Sequence, residues 1–423
     1  VKLLERIKHL WNNRILVVLS VIGPGFIAGN AGNDAGGIAT YSIAGAHEGY
    51  GLLWALILNT AALAVIQEMS SRMGVVTGNG FADLVREQFG VRVTLAVMAL
   101  FVFANLAVTI AEFAGIAASM ELFGVNKYVS VPLSAFVVWL VVVKGNFKQV
   151  ERFLIVISLV YLTYVFSGIM ADPPWERVAK EIVLPKVRLD RDYILLFITL
   201  VGTTITPYMQ FYLQSAVVDK GVRIEEYRYA KYDVYSGAFM TGFIAFFIIL
   251  ATGTILHPAG VVVESAEDAA HALAPLAGEF ASHLFAVGLL NASFLAALVL
   301  PLATAYGLSE AFGWESGINK TFREAPQFLG FYTAFIVIGA GVILLPDIPL
   351  IRIMFLSQTV NGILLPVVLI IMLRLVNDRA LMGEYVNSKR MNVIAWITAA
   401  VLILLTVMLL VSSIFHIRTL PRG

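Results

Sequence analysis

The sequence predicts an all-α membrane protein of eleven transmembrane helices, the first and sixth of them broken at the bilayer midplane. Three observations carry this expectation. Of 423 residues, 59% are hydrophobic and 13% charged, with a mean hydropathy of +0.85, whereas a soluble domain carries about a quarter charged residues. Apolar stretches long enough to cross the hydrocarbon as helices recur along the chain between short polar breaks. Two of these stretches hold residues that a lipid-facing helix does not tolerate: "GNAGNDAGG" at 29–37 and "GTTITPYMQ" at 202–210.

In chain order, the spans fall at 15–45, 50–71, 93–121, 128–144, 152–171, 193–218, 233–256, 283–308, 328–346, 350–373 and 392–416. No Pro/Ser-rich linker or polar domain interrupts them, so one polytopic domain is expected. "VKLLERIKHLWNNR" leads straight into the first span, which argues against a cleavable signal peptide. The longest loop is 172–192. With the N-terminus in the cytoplasm, 20 of the 29 Lys and Arg residues fall on inside segments. The positive-inside bias therefore predicts a multi-pass protein of the cell membrane, N-terminus cytoplasmic and C-terminus extracytoplasmic.

Composition also removes function classes. A net charge of +1 argues against a nucleic-acid partner. The absence of Cys removes disulfides, thiolate metal sites and Cys nucleophiles. There is no P-loop and no nucleophile–base pair or histidine triad, so an enzyme is not expected. The implied surroundings are a lipid bilayer, with no cofactor and no obligate protein partner.

The first break centres on Asp34. An ionised carboxylate at mid-bilayer costs at least about 2.5 kcal/mol, so it faces a polar cavity or a partner. Gly29, Gly32, Gly36 and Gly37 weaken the helix around it. The backbone groups so freed are tolerable only where they line a cavity or meet a ligand. Small-xxx-small packing would explain the glycines but leaves Asp34 without a purpose. The second break centres on Pro207, which removes one helix hydrogen bond, with Thr203, Thr204, Thr206, Gln210 and Gln214 around it. Breaks in spans one and six of eleven fit two five-helix repeats of opposite topology, 15–171 and 193–373, plus an extra helix at 392–416. Paired broken helices are how secondary transporters build midplane sites. One carboxylate, amide oxygens, hydroxyls and freed carbonyls suit a hard divalent cation such as Mg²⁺, Ca²⁺ or Mn²⁺.

These residues resemble a known family. "GPGFIAGNAGNDAGGIATYSIAGAHEGYGLLW" resembles the first transmembrane segment of the Nramp metal-ion transporters, which carries a DPGN signature. "AEFAGIAA" resembles their third helix, "GTTITPYMQFYLQSA" their sixth with its MPHN motif, and "LSQTVNGILLPVV" their tenth. The resemblance covers nearly the whole chain and implies a LeuT-like 5+5 inverted repeat with an added helix. It also implies a metal site at Asp34, Gly37 and Thr206, with the carbonyls of Ala31 and Thr203. Asn33 either adds an oxygen or caps the broken helix. One extra residue follows Pro207, so Met209 or Gln210 is an alternative occupant of the ligand position.

The departures point to the ion. "DAGG" replaces the asparagine ligand by Gly37, and "TPYM" replaces the methionine by Thr206 and the histidine by Tyr208. Losing a soft sulfur removes a preference for transition metals, and a roomy oxygen site suits Mg²⁺, which keeps several waters. These substitutions resemble the Nramp-related magnesium transporters. Transport of Mg²⁺, with Mn²⁺ also accepted, is the expectation, carried as a partly hydrated ion. Thr109 stands where the resemblance implies a proton-relaying aspartate, leaving Glu112 as a relay or a structural carboxylate. Uptake driven by voltage without protons is expected, since a divalent ion gains about 4.6 kcal/mol at 100 mV. The rivals are a proton-coupled Mn²⁺ transporter of the Nramp type, a LeuT-like carrier of a cationic amine, and a metal-gated channel. Gln358 and Asn361 either touch ion-bound water or pack helices.

Overall fold

In the computed structural model, residues 23, 25, 28–29, 31–144, 158–317 and 320–419 are described. Among them every regular element is helical. The first half of the span expected at 15–45 and the opening of that at 152–171 lie largely outside the described residues.

Helix α1 (Ala35–Glu48) starts at Asp34, whose carboxylate caps it by accepting the Gly37 N–H. Helix α2 (Leu53–Thr77) returns across the bundle. Helix α3 (Phe81–Leu122) is two helices joined at Gly90, whose φ of 76° only glycine adopts without strain. After α4 (Lys127–Val143) and α5 (Leu162–Met170) comes a short outer helix, α6 (Trp175–Val183). The sixth expected span is broken where Pro207 predicts: α7 (Arg191–Thr204) ends, and α8 (Pro207–Asp219) restarts with proline in its first turn. Then follow α9 (Tyr227–Ile255), α10 (Ala281–Phe312), α11 (Pro326–Ile343), α12 (Leu350–Val376) and α13 (Lys389–Thr419).

Eight helical stretches among the described residues are long and apolar enough to cross a membrane. Helices α1, α4 and α5 stand where the other three spans are expected. They have 14, 17 and 9 residues, and the continuous described stretches leading into α1 and α5 begin at 31 and 158. The stretch from α7 to α8 is the most enclosed, while α13 faces outward.

Helix α3 packs along α10 and α12, α12 also packs on α7, and α9 packs on α1 and α2. At the α7–α12 crossing the backbones touch. A Cβ on Gly202 would overlap the Gln358 carbonyl and Gly362, and one on Gly362 would overlap the Ile198 carbonyl. Small residues at such crossings let membrane helices approach closely. One buried ion pair, Arg72–Glu68 at 3.4 Å, lies on α2. Its partners reach outward: Tyr227 donates to Glu68, and Arg72 donates to Asn387 ahead of α13.

The 172–192 loop is tied down at the C-terminal end of α1. Arg188 meets Glu48 at 2.5 Å and Asp190 at 3.0 Å, and Arg177 lies over the Tyr50 ring. The Tyr193 N–H, which Asp190 accepts as the cap of α7, holds the Asp190 carboxyl below the usual carboxylate range, with Arg188 adding to it.

Candidate metal site

The two breaks meet. The turn Ala31–Asn33 that precedes Asp34 packs against α7, and the Thr203 carbonyl faces Gly32. That carbonyl would accept the N–H of residue 207 in an unbroken helix, and proline has none. Ile205 closes α7 by donating to Val201 at 2.8 Å.

Asp34 is 1% exposed. Its Oδ1 accepts the Gly37 N–H at 2.6 Å. The Gln358 amide donates to both carboxylate oxygens at 3.2 Å, and Asn361 fixes that amide by donating to its Oε1 at 2.9 Å. Glu112, fully buried on α3, accepts the Ala35 N–H at 3.2 Å. Two carboxylates thus sit at the N-terminal end of α1, where helix amides favour negative charge. No ion pair engages either one among the described residues.

Gly37 opens a cradle between these groups. A Cβ there would stand 2.6 Å from the Gly32 carbonyl oxygen and 3.2 Å from both Asp34 Oδ1 and Thr203 Oγ1. Three oxygens of three kinds therefore converge on one point that carries no side chain. Around it lie buried polar atoms without a hydrogen bond, namely both side-chain ends of Asn33, Glu112 Oε1 and Asn361 Oδ1. An unmatched buried polar atom costs about 1–3 kcal/mol, and a cation carrying water offers partners to all of them. Among the described residues no group of three or more His, Asp or Glu side chains comes together, and the oxygens beside Asp34 are those of a hydroxyl and a backbone carbonyl.

The structure sorts the expected residues. Asp34, Gly37 and Thr203 converge directly, and Asn33 flanks them. Ala31 opens the turn. Thr206 caps α8 without a side-chain cap hydrogen bond, and its carbonyl is turned down into α8, where it accepts the Met209 N–H at 3.3 Å. Met209 brings its methyl group against Gly32 while its sulfur accepts the Gln67 amide at 3.6 Å. Gln210 lies one turn below Thr206 with its Oε1 unmatched. Helix α8 runs unbroken from 207 to 219.

Glu112 is both structural and open: one oxygen caps α1 and the other is unmatched. Gln358 proves to touch Asp34 itself. Neither contact is written in local sequence, although Gly36 is its trace, since a Cβ there would overlap the Gln358 amide.

The model of the family described as natural resistance-associated macrophage protein-like, Nramp, matches residues 25–412. The chain is 27% identical over 418 residues to the divalent metal cation transporter MntH of Acidiphilium cryptum (strain JF-5), covering 96% of this chain and 93% of that one. It is 26% identical over 406 residues to MntH of Yersinia pestis (strain Pestoides F), covering 94% and 96%. Among solved structures, a manganese transporter of Eremococcus coleocola superposes with a TM-score of 0.78 at 20% identity, over 92% of this chain and 85% of that one. Mhp1, a nucleobase-cation-symport-1 transporter, superposes at 0.55 with 16% identity, over 92% and 89%. The LeuT-like helical arrangement expected from the sequence is the fold shared with these structures.

Proposed function

Since the chain belongs to the Nramp family, we propose that it carries divalent metal cations across the membrane into the cytoplasm, binding them at the Asp34–Gly37–Thr203 cradle. The observation that carries this reading is the convergence of Asp34 Oδ1, Thr203 Oγ1 and the Gly32 carbonyl on the point beside Gly37. Asn33, the carbonyls of Ala31 and Thr203, and Thr206, Met209 or Gln210 at the head of α8 complete the proposed ligand set. The halves 15–171 and 193–373 serve as the two inverted repeats, with 392–416 as the added helix. The distribution of basic residues supports a cytoplasmic N-terminus.

Mn²⁺ is the ion favoured by the relatives, whose names are those of divalent metal cation and manganese transporters. A second reading, Mg²⁺ carried with part of its water, is favoured by the lining. The cradle presents oxygen only, and the nearest sulfur, that of Met209, is already engaged by Gln67. Hard oxygen sites serve both ions. We take the membrane potential as the driving force. Glu112 is the titratable group beside Asp34 through which a coupled proton would pass.

Uptake of Mn²⁺ and of Mg²⁺ into proteoliposomes under an imposed inside-negative potential, with internal pH recorded, tests this. Uptake of either ion that is lost in Asp34→Ala supports the site. Uptake without acidification supports the voltage-driven reading, and acidification in step with uptake replaces it with proton coupling through Glu112. No uptake of either ion overturns the proposal.

A further inference from the structure

Helix α8 continues away from the cradle with a polar stripe. Thr206, Gln210 and Gln214 follow one another at every fourth residue, fully buried, and span about 12 Å along the helix axis at 1.5 Å per residue. Gln210 Oε1 and Gln214 Oε1 have no hydrogen-bond partner. The stripe ends beside the half-buried Glu310. Gln214 donates its amide to the Asn79 carbonyl at 2.9 Å, and a Cβ on the next residue, Gly80, would overlap the Glu310 carboxylate. Ser215 donates to Glu310 Oε1 at 2.5 Å and the Ala82 N–H lies against the same carboxylate, which leaves Oε2 without a hydrogen bond of full geometry. Arg86, the neighbouring cation, is engaged elsewhere: it binds Asp83 at 3.1 Å and the Glu310 backbone carbonyl at 3.0 Å. A cavity of about 560 Å³ lined by Gly74, Gly78 and Val218 opens next to this cluster, and a Cβ on Gly74 would lie 3.0 Å from the Gln214 carbonyl.

We propose that Glu310, Gln214 and Ser215, with the Asn79 carbonyl, form a second cation station. It holds a divalent ion between the Asp34 cradle and the cavity at Gly74, Gly78 and Val218. This rests on the divalent-cation reading above. Capping α3, whose N-terminal Gly80 brings no side-chain cap of its own, accounts for the place of Glu310. It does not account for a second buried acceptor, Gln214 Oε1, left unmatched beside it. A cation with its water is the ligand that satisfies a carboxylate oxygen and an amide oxygen together.

Mn²⁺ binding to the purified full chain, counted by the loss of the free-ion EPR signal, is the test. The expected stoichiometry is two ions for the unmodified chain, one for Asp34→Ala, and none for Asp34→Ala combined with Glu310→Gln. In the Asp34→Ala background, Gln214→Leu, which leaves the Glu310 cap in place, weakens the remaining site by about tenfold, the scale of a hydrogen bond to a charged centre. A single site lost entirely in Asp34→Ala overturns the station, as does a residual site indifferent to both Glu310→Gln and Gln214→Leu. Either result leaves uptake through Asp34 standing. Failure of the transport reading is seen separately, as absence of uptake by the unmodified chain.

Discussion

Gln358 places its amide nitrogen 3.2 Å from each carboxylate oxygen of Asp34, across 324 positions of sequence. This amide gives the carboxylate a donor to each of its oxygens. Replacing it with Gln358→Leu removes hydrogen bonds to a charged group worth about 1.5–3 kcal/mol. The ion-free variant is expected to unfold at a lower temperature, and saturating Mn²⁺ to restore most of the loss. Thermal unfolding with and without Mn²⁺ checks this, and a metal-induced rise no larger than in the unmodified chain removes Gln358 from the site.

Asp34 caps α1 and is the proposed ion-binding carboxylate, and one substitution separates the two. Asn caps helices about as well as Asp, so Asp34→Asn keeps the bond from the Gly37 N–H and is expected to cost less than about 1 kcal/mol of stability. It removes the charge that attracts the ion, and uptake is expected to fall at least about 100-fold, the scale of a lost charge partner. Parallel unfolding and uptake measurements read the two effects apart. Uptake retained in Asp34→Asn would leave the carboxylate with capping alone.

Gly37→Ala fills the cradle. Its Cβ would stand 2.6 Å from the Gly32 carbonyl oxygen, forcing a shift that costs about 1–3 kcal/mol as other overpacked sites do. Uptake is expected to fall further than stability. Gly37→Asn, which restores the family's asparagine, is expected to lose uptake too, because the same Cβ must be accommodated. A gain in Mn²⁺ uptake with Gly37→Asn would show that the turn at Gly32 yields freely.

The crossing of α7 and α12 predicts a contrast between two glycines. Gly202→Ala drives a methyl group into the Gln358 carbonyl and is expected to destabilise the chain by at least about 1–3 kcal/mol. Gly330→Ala on α11, where nothing lies within 4 Å, is expected to be neutral or to stabilise by up to about 1 kcal/mol through helix propensity. Thermal unfolding of the two variants side by side decides it, and equal midpoints would mean the crossing is looser than its backbone contacts indicate.

Much of this was legible in the sequence, and the reason is physical. Hydropathy is a local property, so the long spans can be read directly. Pro207 and the glycines at 32, 36 and 37 act on their own helices, so both breaks could be placed to within a residue or two. Asp34 stood out because a carboxylate in an apolar span is costly wherever it points. The contacts that depend on helix rotation were not legible. Glu112 meets Ala35 across 77 positions, and Gln358 meets Asp34 across 324. Nothing within either segment states which face turns inward. Met209 shows the same limit, since its sulfur is directed by Gln67 on α2. The Glu310 cluster draws on three separate stretches and leaves no motif at all. The choice between Mg²⁺ and Mn²⁺ is of another kind: ligand types point to the first, and the relatives' names point to the second.

The Gly202–Gly362 contact also affects how α12 can move. Helices that meet through interlocking side chains resist axial slip, because ridges must climb out of grooves. Where backbone rests on backbone there are few ridges to climb, and the register is held instead by one buried hydrogen bond, between the Thr199 and Thr359 hydroxyls at 2.7 Å. Gln358 sits on α12 beside Thr359, one turn from Gly362. A slide of α12 along α7 that changes the reach of the Gln358 amide toward Asp34 must therefore break the Thr199–Thr359 bond, which acts as the latch of that crossing.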